Sequence, residues 1–185
     1  MKKNALIPAV ALSAVLLAGT VFAPAVHAGG KGGSSIADIV VANPDIDGDG
    51  EGDFDILLSA VLAADSSVLD RLASNGQNTV FAPTDAAFEA AFEELEMLGI
   101  DPADVLADTE LLTLILNYHI SPGHRESTNV LKAKKVRMRD GGFLQQDDGI
   151  LTDNLEREAA IIAADIPASN GVIHVIDNVV LPGLP

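Results

Sequence analysis

Between Pro44 and Phe54 the chain reads Asp45-Ile-Asp-Gly-Asp-Gly-Glu-Gly-Asp53, a run of carboxylates separated by glycines. Counted as a calcium loop, Asp45, Asp47 and Asp49 stand at positions one, three and five, Gly50 at six, Glu51 at seven through its carbonyl, and Asp53 at nine. Position twelve is Ile56, where an EF-hand needs a bidentate glutamate, and Pro44 argues against a helix entering the loop. What remains is a spacing that converges several hard oxygens on one point. It predicts weak calcium binding at extracellular concentrations, with no cofactor required. The plainer alternative is a solvated Asp/Gly turn.

The other residues with chemistry to offer are His119, His124 and His174. His174 lies within Val172-Ile-His-Val-Ile176, with apolar neighbours on both faces of a strand, and is expected to be a hydrogen-bonded core residue. His119 shares a helical face with Leu112, Ile115 and Leu116 and should point inward, whereas His124 follows Pro122-Gly123 in a turn. Nothing in their spacing brings the three together as a zinc or catalytic set. The chain has no cysteine, no Gly-x-Ser-x-Gly elbow and no Gly-x-x-x-x-Gly-Lys loop, so it is read as a non-enzyme.

Residues 1–28 have two lysines, an apolar stretch from Ala5 to Phe22 and Val26-His27-Ala28 at the end, the pattern of a cleaved secretory leader. The competing reading is an uncleaved anchor. Removal of the leader leaves 157 of the 185 residues, enough for one domain with a core that needs no disulfide. The expected location is secreted, extracellular or periplasmic. The net charge is −16, and −18 once the two leader lysines are gone, so nucleic acid is an unsuitable partner. The one basic cluster, Lys132, Lys134, Lys135, Arg137 and Arg139, is read as an edge strand whose even and odd charges face opposite ways. An anion site is the alternative.

Residues 29–35, Gly-Gly-Lys-Gly-Gly-Ser-Ser, read as a flexible tether. Ile36 to Val41 is read as the start of the domain, and helices are expected from Phe54 to Ala64, Ser66 or Ser67 to about Gly76, after Thr84, after Asp101-Pro102 and after Asp108-Thr109. Phe88, Phe92 and Leu95 fall at i, i+4 and i+7 and are read as a core stripe. Thr79 to Ala82 is a compact strand. From Val130 onward short strands separated by turns follow, one of them Ala160 to Ala164 ended by Asp165 and Ile166, the last Val172 to Leu181. Helices first and strands after predict an α+β domain with a mainly antiparallel sheet.

Thr79-Val-Phe-Ala-Pro-Thr-Asp-Ala-Ala-Phe88, the pair Tyr118-His119, and Asn170-Gly-Val-Ile-His-Val-Ile-Asp-Asn-Val-Val-Leu-Pro182 resemble, in order and spacing, three motifs of the fasciclin-type adhesion domain. The resemblance covers residues 36–182 as a single domain and implies a β-sandwich-like wedge flanked by helices. It implies a partner-binding set of Tyr118, His119, Asp165 and Ile166, with a structural hydrogen bond from His119 toward the Asp85 region. Ala164 departs from the proline or lysine that precedes the Asp-Ile pair in receptor-binding animal members. The function implied is a secreted adhesion or matrix-associated module whose partner is a cell surface, a polysaccharide or a protein. The alternative is a carrier of a small apolar, carotenoid- or lipid-like ligand, and a third reading is a regulatory or stress-response envelope protein.

Overall fold

The computed structural model describes residues 33–46, 48 and 50–183. The leader, residues 1–28, lies outside the described residues, as do Asp47 and Asp49 of the acidic turn. No helix among the described residues is long and apolar enough to cross a membrane.

Among the described residues seven helices and seven strands follow one another: α1 (Ile36–Ala42), α2 (Asp55–Ala63), α3 (Ser66–Ala73), β1 (Asn78–Pro83), α4 (Asp85–Met97), α5 (Pro102–Ala107), α6 (Thr109–Tyr118), β2 (Ile120–Pro122), α7 (Ser127–Val130), β3 (Lys135–Arg137), β4 (Phe143–Asp147), β5 (Ile150–Thr152), β6 (Glu158–Ala168) and β7 (Gly171–Ile176). Short polar side chains start most of the helices by accepting amide protons that have no partner within the first turn. Asp65 does so for α3, Thr84 for α4, Asp101 for α5 with Pro102 behind it, and Asp108 for α6. Ser35 and Asp38 form a full capping box on α1, and the Ser34 carbonyl accepts from Ser169 N–H at 2.9 Å. The expected tether therefore gives way to the folded domain at Ser34, before Ile36, because Ser34 is bonded to the turn between β6 and β7 and Ser35 caps α1.

The strands form one sheet in the order β2-β1-β7-β6-β5-β4-β3, with β1 and β7 parallel and every other pair antiparallel. Its two ends meet. Arg139 N–H donates to the Ile120 carbonyl and the Ser121 hydroxyl to the Arg137 carbonyl, both at 2.8 Å. The result is a nearly closed sheet flanked by helices. β1 and β7 are buried along their whole length, which is what a parallel pair covered on both faces requires. Gly171 sets their approach, since a Cβ there would lie 1.9 Å from the Asn78 carbonyl oxygen.

Two expectations for the strands change. β6 does not end at Ala164; it continues to Ala168 through register shifts on either side of Ala163. Asp165 adopts φ +61° at this irregularity, so it kinks the strand instead of ending it. The basic cluster does not alternate between faces, because β3 spans only Lys135–Arg137 and Lys132 and Lys134 precede it. Val136 is buried between Lys135 and Arg137, which are both exposed and share the outward face.

Two cores result. Inside the nearly closed sheet lie Phe81, Tyr118, Met138, Leu144, Leu151 and Ile176. Between the sheet and the helices lies a larger aliphatic layer that includes Val40, Leu57, Val61, Leu72, Leu112 and Leu116. Burying each side chain of this size is worth about 1.5–3 kcal/mol.

Candidate functional site

Tyr118 ends α6 and is wholly buried in the inner core, its hydroxyl donating to the Phe143 carbonyl at 2.9 Å. Burial, with the negative charge of Asp153 nearby, pushes its pKa up to about 12. His119 is 3% exposed. Its Nδ1 lies 2.8 Å from the Ile115 carbonyl, so the proton resides on Nδ1 and Nε2 is left as a buried lone pair with no donor among the described residues. Burial holds its pKa down to about 4, against the smaller opposing pull of the Ile115 bond and Asp153. His119 also lines a void of about 20 Å3 whose other walls are apolar.

These positions correct two expectations. His119 bonds its own helix and not the Asp85 region; the Asp85 carboxylate instead accepts from Asp55 and Ile56 N–H at 3.0 and 2.8 Å, capping α2 across the chain. Tyr118 and His119 present no surface to a partner, because both serve the packing of α6 against the sheet.

Asp165 and Ile166 lie elsewhere. Asp165 is exposed and Ile166 half-buried. The Asp165 carboxylate accepts from Ser127 N–H at 2.7 Å and from the Ser127 hydroxyl, which fastens the start of α7 to β6. Partial burial pulls the Asp165 pKa upward, but the two Ser127 bonds, aided by His174 and His124, outweigh it and hold the carboxyl below its usual range. Its own N–H donates to His174 Nδ1 at 3.2 Å, while His174 Nε2 lies 2.8 Å from the Arg125 carbonyl. His174 thus has one donor and one acceptor satisfied in the neutral form, and burial lowers its pKa. His124 is a separate, partly exposed residue 3.9 Å from Glu126. The structure joins Asp165 to His174 and leaves Tyr118 and His119 in another part of the fold.

In the acidic turn, the Asp45 carboxylate accepts from Gly48 and Gly50 N–H at 2.6 and 3.1 Å, and Asp53 is 6% exposed with a carboxylate oxygen 2.5 Å from Ile46 N. These oxygens hold the turn's own backbone. Glu51 is exposed. Among the described residues no three His, Cys, Asp or Glu side chains gather to hold a metal ion, and that set leaves out Asp47 and Asp49.

The sequence reading missed an apolar groove of about 240 Å3 between α4, α5, α6 and the segment after β7. Phe88, Phe92 and Leu95 line it together with Leu112, Ile115 and Val179. The stripe expected in the core is therefore open: Phe88 is buried, but Phe92 and Leu95 are only half-buried. The reason is α5, six residues with none buried, which is too short to cover the stripe. Arg157 lies at the groove, paired with Glu94 at 2.6 Å and donating to Asn178 Oδ1 at 3.2 Å. Met97 and Leu98, at the end of α4, are 80% and 75% exposed. Of the apolar run Met97-Leu-Gly-Ile100 only Ile100 lines the groove, so that run gave no clear signal for it.

A model of the fasciclin domain matches residues 52–182, and the chain belongs to that family. It is 36% identical over 130 residues to protein sll1483 of Synechocystis sp., covering 70% of this chain and 67% of the relative. It is 29% identical over 126 residues to the immunogenic protein MPB70 of Mycobacterium bovis, covering 68% and 60% respectively. Among solved structures it is similar to the FAS1 domain pair of the insect cell adhesion molecule Fasciclin I, with a TM-score of 0.51 and 23% identity over 65% of this chain and 42% of that one. That likeness establishes the fold. Fasciclin domains generally mediate adhesion and binding.

Proposed function

We propose that this chain is a non-catalytic binding module that works outside the cytoplasm and attaches to a cell surface or an extracellular polymer. The observation that carries the reading is the fate of its acid–base groups within a fasciclin domain. His119 and His174 are buried and bonded to backbone, and Asp165 is engaged by Ser127. The two histidines are shut away from a substrate proton, and the exposed Asp165 carboxylate is occupied by its bonds to Ser127. The test is retention of the purified protein, as a coating, by its own producing cells and their extracellular polymer. Retention above an unrelated acidic protein of similar charge is expected, and its absence would overturn the reading.

The groove favours a second reading, carriage of a small apolar molecule. The groove is concave and nearly all apolar, with Arg157 at its edge, the character of small-molecule sites. Nile red should brighten on mixing with the protein, and Ala91→Phe, which places a ring in the groove, should suppress the signal. A protein that leaves Nile red dark, or an A91F variant that brightens it equally, would remove this reading.

A further inference from the structure

The outward face of β3, β4 and β5 consists of alternate residues: Lys135 and Arg137, then Phe143, Gln145 and Asp147, then Ile150. The intervening Val136, Leu144 and Leu151 are fully buried, so the alternation is fixed by the inner core and the polar face follows from it. Register sets Arg137 across from Phe143 and Lys135 across from Gln145, pairs whose Cβ atoms in such a ladder stand ~5 Å apart. Phe143 is 46% exposed, the most exposed aromatic among the described residues.

Charge is segregated onto this side. Lys135 and Arg137 lie on β3 and Arg139 just after it, where this end of the sheet meets β2; Lys132 and Lys134 lead into β3, and Arg125 follows β2. Among the described residues none of the six has a carboxylate oxygen within 4.0 Å, in a chain with 27 Asp and Glu. Asp147 is the carboxylate on the outward face itself, at the hairpin end of β4, and the Asp140 carboxylate accepts from Gly142 N–H. An anionic group laid along β3 therefore meets cations first.

We infer that this face binds an extended polysaccharide bearing carboxylate groups, with a pyranose ring against Phe143 and its acid groups on Lys135 and Arg137. The inference rests on the binding-module reading and names its surface and ligand class. Each side chain matches one feature of such a ligand. The aromatic face takes the C–H side of a sugar ring, the Gln145 amide both donates to and accepts from hydroxyls, and Arg137 meets a carboxylate with its planar fork. The net charge of −16 decides between polyanions. At about 0.1 M salt the field of distant carboxylates fades beyond ~10 Å. A thin chain touching only the strip is thus spared the repulsion that a bulky acidic protein would meet.

The test is retention on beads carrying polygalacturonate, neutral dextran or polyglutamate at about 0.1 M NaCl, then across rising salt. Retention on polygalacturonate above the other two is expected. Lys135→Gln with Arg137→Gln should weaken it roughly tenfold or more and flatten its salt dependence. Phe143→Ala should weaken it several-fold with the salt dependence unchanged, since it removes no charge. All three residues are exposed, and circular dichroism checks that the variants fold. No retention on polygalacturonate, equal retention on dextran or polyglutamate, or indifference to either variant would overturn the inference. Retention by the producing cells without retention on polygalacturonate removes this face while leaving the binding-module reading intact. Retention by neither removes both.

Discussion

Inside the nearly closed sheet, Phe81, Tyr118, Met138, Leu144 and Leu151 are each at most 1% exposed, and the one polar tip, the Tyr118 hydroxyl, donates to a carbonyl. On the helical side, the layer around Val40, Leu57, Leu112 and Leu116 contains a small void, an unpartnered His119 nitrogen and an open groove. The difference follows from how each side is closed. Strands joined edge to edge hold a fixed spacing, and large side chains fill it. Short helices joined by loops leave gaps wherever one of them, here α5, is too short to cover its neighbour. The inner core is filled and closed, and the helical layer is where open space and a buried titratable group remain.

The contrast predicts unequal responses. Tyr118→Ala should lose about 3–5 kcal/mol in urea unfolding, because the cavity it leaves is enclosed on all sides. Gly142 already sits so close that a Cβ there would be 2.8 Å from the Tyr118 ring.

Acid should act through the helical layer. His119 has a folded pKa of about 4 against an ordinary value of 6.5, so between these pH values the unfolded chain binds the extra proton. Stability should fall as pH drops through that window, by roughly 3 kcal/mol once below it. Asp38, Asp65 and Asp165 are held below the usual carboxylate range, so their stabilising contributions are lost only at still lower pH. Melting temperatures of the native protein and His119→Gln, taken from pH 7 to 4, should show a steep slope in the first and a shallow one in the second. Equal slopes would dismiss His119 as the source.

Leu112→Ala, in the groove wall, should cost only about 2 kcal/mol, the low end for a leucine, since part of the space it vacates is already open to water. A loss equal to that of Tyr118→Ala would break the distinction between the two cores. Tyr118→Phe is the finest cut: it removes one hydrogen bond and leaves the Phe143 carbonyl unpaired, about 1 kcal/mol by the same unfolding measurement.

Much of this architecture is legible in the chain, and the failures share a cause. The caps at Thr84, Asp101 and Asp108 and the inward placement of His119 and His174 follow from neighbours within a turn or a strand. Asp148 and Gly149 at positive φ make the two-residue turn between β4 and β5, the conformation such residues favour. The bond from His119 was expected toward Asp85 and instead goes to the Ile115 carbonyl four residues back, while the Asp85 carboxylate is taken up by the Asp55 and Ile56 amides. The Asp165-Ile166 pair was expected to end a strand and instead sits inside one. Its φ is set by the register β6 must keep with β7, which local sequence does not encode.

The sequence by itself determined the helix starts, the buried faces, the turns and the three spaced motifs that mark a fasciclin domain, because each depends on residues a few positions apart. Only the tertiary structure decided which polar groups meet. Asn170, 2% exposed, accepts from Ile36 N–H across 134 positions and donates to the Leu72 and Ser74 carbonyls; Asp165 reaches Ser127 across 38, and Asp85 reaches Asp55 across 30. The same holds for the seam that gathers the cations and for the groove that α5 leaves uncovered. Contacts of that range depend on where whole elements come to rest, and packing sets those positions.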